Sequence, residues 1–234
     1  MKYILWIGGW DSTFRLLQLA SDSRMEIQPI YVHDAGRAGR VQEQQAMQKI
    51  LAMIAKDKRF TANVHPLKVY DKDFILQNYP DSDITNSWKA LNAEFALGGQ
   101  YEWLALLCKQ LGIQAELGLE YSERGKANRA ISTWGGVKRI AENLQMIDIA
   151  QSRKGIVDIF RFYELGITEL SKRDMYKISM RSGLYKIMKH TWFCHTPING
   201  KPCGTCNPCK NAMNEGMKFR LPLSARIRYY RLYI

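Results

Sequence analysis

The chain has 234 residues, 46% of them hydrophobic and 24% charged, so it can bury a substantial core without disulfide staples and is too apolar for a disordered or fibrous protein. No apolar run approaches the roughly 20 residues of a membrane helix and no cleavable leader pattern is evident, which sets the expectation of a cytoplasmic protein with no membrane partner. The net charge of +12, from 34 Lys and Arg against 22 Asp and Glu, favours anionic partners without choosing between nucleotides and nucleic acid.

In chain order, Tyr3-Ile4-Leu5-Trp6-Ile7 is a short apolar run ending at Gly8-Gly9, the pattern of a strand buried on both faces of a parallel sheet. The spacing of Phe14, Leu16 and Leu17 predicts a helix over 13–20, and 27–33 reads as a second strand. Val41, Met47, Ile50, Leu51 and Ile54 give 41–56 a helical stripe, and 60–67 is a weaker third strand. After an irregular stretch through Pro80 come one long helix over about 89–111, a fourth strand over 114–119, a loop and a helix, and a fifth strand over 156–162. The next helix opens at Ser171-Lys172-Arg173-Asp174, whose serine-then-acid spacing is that of a capping box. Strands alternating with helices predict an α/β fold, an open, mostly parallel sheet with helices on both faces and a ligand site at the carboxyl ends of its strands. That pattern breaks near residue 190. The expected regions are therefore an α/β domain over 1–189 and, packed on it over 190–234, a cysteine knuckle with a basic tail.

Gly8-Gly9-Trp10-Asp11-Ser12-Thr13 leaves the first strand and enters a helix, so its N–H groups lie at the positive end of a helix dipole, which suits a phosphate. Gly8 and Gly9 allow close backbone approach, Asp11 can cap the helix or help hold a magnesium ion, and Ser12 and Thr13 offer hydroxyls. Two glycines alone favour a plain strand-to-helix turn with Asp11 as an ordinary cap.

Cys194, Cys203, Cys206 and Cys209 have the spacing C-x8-C-x2-C-x2-C, which fits the closed tetrahedral shell of a structural zinc. An iron–sulfur cluster or a pair of redox-active disulfides remain alternatives on spacing alone. With four thiolates present, neither His190 nor His195 is needed as a ligand, and Cys108, in an apolar helical context, reads as core. Beyond Cys209, the basic residues Lys210, Lys218, Arg220, Arg226, Arg228 and Arg231 mix with Tyr229, Tyr230 and Tyr233. That mixture fits either a solvated positive face or a nucleic acid surface.

The order Gly-Gly-x-Asp-Ser after a first strand resembles the signature of the N-type ATP pyrophosphatases, the PP-loop family. Joined to the Cys…Cys-Gly-x-Cys-x-x-Cys knuckle, it resembles the 7-cyano-7-deazaguanine synthases across most of the chain. Further matches are the Tyr31 to Arg40 region, where the family has an aromatic-rich strand and a Gly-containing loop, and Lys172 in a Lys-x-Asp step of a late helix. The chain departs from the family at Ile7, where the family usually has Ser, and at Gly98-Gly99-Gln100-Tyr101, where the family has Pro-Gly-Arg-Asn. The lost hydroxyl forfeits about 0.5–3 kcal/mol of phosphate contact.

The resemblance implies an adenine nucleotide alpha hydrolase-like, Rossmann-like domain that uses ATP, with Mg2+ and a structural Zn2+, to convert a 7-carboxy-7-deazaguanine-like acid and ammonia to the nitrile, as in queuosine biosynthesis. It assigns ATP binding to Gly8, Gly9, Trp10, Asp11, Ser12, Thr13, Tyr31 and His33. Catalytic roles fall to Asp11 and Lys172, joined on physical grounds by a cation of the loop after the fourth strand, Arg129 or its neighbours Arg124 and Lys126, that can stabilise charge on the phosphate; the family's acid-bearing substrate loop is not recognisable in 121–129. Zinc falls to the four cysteines. A nucleic acid or protein acceptor and a homodimer stay open. The competing readings are a PP-loop enzyme that modifies transfer RNA and a zinc-stabilised nucleic-acid-binding protein with a degenerate nucleotide site.

Overall fold

A computed structural model describes residues 1–233. In chain order it runs β1 (Lys2–Leu5), α1 (Trp10–Ala20), β2 (Glu26–His33), α2 (Arg40–Lys56), β3 (Asn63–Val64), β4 (Lys68–Asp71), α3 (Lys72–Asn78), α4 (Ser82–Phe95), α5 (Gln100–Leu111) and β5 (Ala115–Leu117). It continues with α6 (Lys126–Trp134), β6 (Val137–Ala141), β7 (Leu144–Ile147), α7 (Lys154–Phe160), β8 (Tyr163–Glu164), α8 (Lys172–Arg181), α9 (Tyr185–Met188), α10 (Asn207–Asn214) and α11 (Leu223–Tyr233). The chain is α/β, with a mostly parallel central sheet flanked by helices. Among the described residues no helix is long and apolar enough to cross a membrane.

Packing divides the chain into two compact units. The first comprises 1–6, 25–33 and 63–169 and holds the whole main sheet. Its strands run in the order β3-β2-β1-β5-β8, with β4 also on β2, and every pairing is parallel. Burial explains why β2 carries a nearly continuous apolar run, since Ile27 to Val32 are all buried, as a strand covered on both faces requires. The order reverses at β1, between β2 and β5, which makes the carboxyl end of β1 the topological switch point of the sheet. The second unit comprises 7–24, 34–62 and everything from 170 onward, and so contains α1, α2 and α8 to α11. The expected 190–234 region lies within it, and Ile234 falls outside the described residues.

Three expected elements differ from the observed ones. The single helix over 89–111 is two helices, because Ala96 turns left-handed at φ 53° to end α4, and Gly98-Gly99 separate it from α5. The fifth strand over 156–162 is mostly helix α7, with β8 following it. Ile156, Ile159 and Phe160 are all buried at the i, i+3, i+4 spacing of a helical face, and Lys154 Nζ meets Asp158 Oδ2 at 2.7 Å one turn along. Of the third strand expected over 60–67 only Asn63–Val64, β3, is strand, and β4 follows it in the stretch expected to be irregular; the two pair with successive parts of β2. The antiparallel hairpin β6-β7 and the short helix α3 lie where no element was expected.

Helix α4 starts at a cap that the sequence signals only as Asp81. Its carboxylate accepts from the Ile84 amide at 3.0 Å and pairs with Lys109. The hydrogen bond from Lys109, then those from the backbone, hold the Asp81 carboxyl below its usual range. A depressed carboxyl contributes stability that is complete above its ordinary value near 3.8 and fades as pH falls through its folded value. Asp81→Ala should therefore cost about 1–2 kcal/mol at neutral pH and clearly less at acid pH, read from urea unfolding at both.

Candidate functional site

The glycine loop begins where β1 ends. Gly8 sits at φ +68°, and a Cβ there would lie 3.0 Å from Met47 Cγ and 3.3 Å from the Glu43 carbonyl oxygen, so a side chain is excluded by conformation and by space. Gly9 caps α1 in an extended conformation (φ −74°, ψ 170°) and supplies no side-chain oxygen to the first turn. Helix α1 thus opens with no side-chain cap, the arrangement in which N–H groups are offered to an anion. Ile7 is 36% exposed and its Cγ1 flanks Gly9, 3.6 Å from where a Cβ would be. Ser12 and Thr13 are buried.

Charge gathers at this turn. Lys172, the first residue of α8, places Nζ 3.9 Å from Asp11 Oδ2 and 3.1 Å from Glu215 Oε2. The capping box at Ser171 fixes that lysine, with the Asp174 amide donating to Ser171 Oγ at 3.2 Å and Ser171 N donating to Asp174 Oδ2 at 3.2 Å. Arg220 stacks its guanidinium between two rings, 4.8 Å from the Trp10 centroid and 4.4 Å from Phe193, and Nη2 donates to Thr191 Oγ1 at 2.7 Å. Burial draws the Arg220 pKa down to about 10, against the pull of the Asp11 carboxylate, which favours the charged form. Two of these residues were missed. Arg220 sits in a basic, aromatic stretch that reads as solvated, and Glu215 carries no motif.

The second part of this unit is the cysteine cluster. The Sγ atoms of Cys194, Cys203, Cys206 and Cys209 all lie within 4.8 Å of one another, and three of the four residues are buried. Contacts of 3.9 Å between Cys203 and Cys209 and 3.8 Å between Cys206 and Cys194 match the roughly 3.8 Å edge of a tetrahedron with zinc–sulfur bonds near 2.3 Å. Asn199 (φ 50°) and Gly200 (φ 69°) make the left-handed reversal that returns the chain from Cys194 to Cys203, closed by the Ile198–Lys201 bridge. Cys206 caps α10, and Pro208 in the first turn brings Cys209 round to the cluster.

Amides of Thr205 and Cys206 each donate to Cys203 Sγ at 3.3 Å, and the Cys203 amide donates to Cys194 Sγ at 3.2 Å, which stabilises thiolates. Contacts with Cys194 and Cys209 pull Cys206 far below the usual thiol range, while those with Cys194 and Cys206 push Cys209 far above it. The cluster fits a metal ion such as zinc. The His195 carbonyl accepts from the Gly39 amide at 3.0 Å.

The basic tail runs from Lys210 on α10 through Lys218 and Arg220 to helix α11, and several of its side chains are engaged. Arg228 Nε donates to the Cys203 carbonyl at 2.7 Å, Arg226 Nε to Leu221 O at 2.9 Å, and Lys210 Nζ lies 4.3 Å over the Tyr233 ring. Gly204, at φ +88°, faces α11 so closely that a Cβ would lie 2.1 Å from the Ala225 carbonyl oxygen. Gly204→Ala should cost well over the roughly 1–2 kcal/mol of a left-handed alanine, because α11 must also move away, and zinc content measured beside chemical unfolding would register both.

The remaining expected site residues belong to the first unit. Tyr31 is buried at 1% exposure, and His33 ends β2 with Nε2 buried and no hydrogen-bond partner among the described residues. Arg129, on α6, lines a cavity of about 410 Å³ with Leu119, Ile131, Val137 and Leu165, beyond the carboxyl ends of β5 and β8. Cys108 lies fully buried in α5, where burial pushes its thiol up to about 12. No family model matches the chain, and no curated protein is significantly similar to it.

Proposed function

We propose that the chain is an ATP-dependent carbon–nitrogen ligase of the 7-cyano-7-deazaguanine synthase type, with zinc held by the cysteine knuckle as a structural ion. The observation that carries this reading is the loop itself: a glycine-started helix without a side-chain cap, with Asp11 and Lys172 within 3.9 Å of each other at its mouth. Amide hydrogens there suit a phosphate, and a lysine already facing acidic groups can exchange those contacts for phosphate oxygens. The motif resemblance supplies ATP as the phosphate donor.

The chemistry follows from the poor leaving ability of a carboxylate oxygen. One carboxylate oxygen attacks the α-phosphorus of ATP, pyrophosphate leaves, and the acyl adenylate forms. Ammonia attacks the acyl carbon, and AMP leaves with the oxygen. A second activation of the amide oxygen by ATP and loss of AMP completes the nitrile. Lys172 stabilises charge gathering on the phosphates, and Asp11 would hold magnesium, which neutralises phosphate charge when bound.

Cys108 offers the transfer-RNA-modifying alternative no reactive thiol for inserting sulfur, since a buried thiol raised to about 12 is a poor nucleophile. The nucleic-acid-binding alternative loses support from Arg226 and Arg228, whose guanidiniums are held by backbone carbonyls. Incubation with ATP, ammonium and 7-carboxy-7-deazaguanine should yield AMP and pyrophosphate with a product lighter than the acid. Formation of ADP and phosphate instead would refute the reading.

A further inference from the structure

The four residues Thr191 to Cys194 bind the glycine loop and the metal cluster with one short segment. Thr191 receives Arg220 through its hydroxyl and its carbonyl, at 2.7 and 3.2 Å. Trp192 donates its amide to the Gly8 carbonyl at 2.9 Å and its indole Nε1 to the Cys194 carbonyl at 2.8 Å. Phe193 forms one wall of the slot that holds the Arg220 guanidinium, and Trp10, the first residue of α1, forms the other. Cys194 is the first cysteine of the cluster. A second seam runs alongside: Gly39 lies so close to this segment that a Cβ would sit 2.3 Å from the Cys194 carbonyl oxygen.

We infer that Arg220 is a positioning residue through which metal loading of the cysteine cluster fixes the geometry of the glycine loop. Loading immobilises Cys194, and with it the Phe193 ring and the Thr191 carbonyl that hold the guanidinium. The guanidinium in turn sets Trp10 and therefore the direction of the first-turn amides of α1. A planar group between two rings transmits orientation as well as charge, which a flexible ammonium does not. The inference rests on the proposed reading only in treating the loop as the working site. By linkage, an anion seated on those amides tightens metal binding by the same factor that the metal tightens the anion.

Hydrogen–deuterium exchange of the amides of residues 8–13 tests this, comparing zinc-loaded protein with protein stripped by a chelator. Loading should slow wild-type exchange by about tenfold. In Arg220→Met the difference should fall within about twofold, with exchange of α5 unchanged as a control for folding. Trp192→Phe, which keeps the amide bond to Gly8 and loses only the indole bond, should give an intermediate difference. Should Arg220→Met disturb α5, Arg220→Lys serves instead, and it too should lose most of the loading effect. An unchanged difference in the arginine variants, or no effect of loading on wild-type loop exchange, overturns the inference. Pyrophosphate titration of the loaded wild type decides separately whether the loop binds phosphate.

Discussion

Cys209→Ala is expected to leave the protein without bound zinc and markedly less stable, whereas Cys108→Ala is expected to retain a full complement. Cys209 is buried and lies on the first turn of α10, and the cluster found among the described residues consists of the four cysteines alone. Loss of a residue that only orients a ligand already costs about 10–100-fold in metal affinity, so loss of a direct ligand should exceed about 100-fold. Structural zinc contributes roughly 10–16 kcal/mol to small zinc-held folds, and here α10 and the Arg228 contacts of α11 are fastened to the same segment. Unfolding should therefore begin in the second unit. Because thiols must shed protons to bind, loading should weaken as pH falls. Metal analysis after gel filtration, with thermal unfolding of both variants, gives the comparison. Equal zinc in the two would contradict the four-cysteine assignment.

Lys172→Met and Asp11→Asn should each lower AMP formation by about 100- to 1000-fold while leaving zinc content and unfolding near wild type. Both side chains are partly exposed, and the ion pair between them is long at 3.9 Å. Their value lies in the charge they present at the start of α1. Lys172 also contacts Glu215 at 3.1 Å, which holds it in place. Glu215→Gln should thus change the apparent affinity for ATP more than the maximal rate. The double variant of Lys172 and Asp11 should be little worse than either single one, since groups acting on the same charge are not additive. Steady-state kinetics with AMP detection measures these effects.

What the sequence reveals about this protein follows the range of the interactions involved. The glycine loop and the four cysteines are legible because their constraints are local: Gly8 must reach positive φ, and the ligands stand at short spacings. The strand over 27–33 is legible because burial on both faces writes a nearly continuous apolar run, interrupted at Gln28. Helix α7 is misread because Ile156, Val157, Ile159 and Phe160 fit a strand as well as a helix until the Lys154–Asp158 pair and the buried face are seen. The break before α5 combines a left-handed alanine, which no propensity signals, with the Gly98-Gly99 pair, a turn signal that the apolar spacing on either side masks. Arg220 and Glu215 are illegible for another reason. Their partners, Trp10 with Phe193 and Lys172, lie far from them along the chain, and nothing in the local pattern separates these charges from solvated ones.

The central claim is that a carboxylate is adenylated at the glycine loop. Exchange of labelled pyrophosphate into ATP, measured with the acid present and ammonium absent, tests it most directly, because only a reversible attack on the α-phosphorus returns label to ATP. The account predicts acid-dependent exchange that is lost in Lys172→Met. Absence of exchange in zinc-loaded wild-type protein, with ATP either untouched or cleaved to ADP, would contradict it.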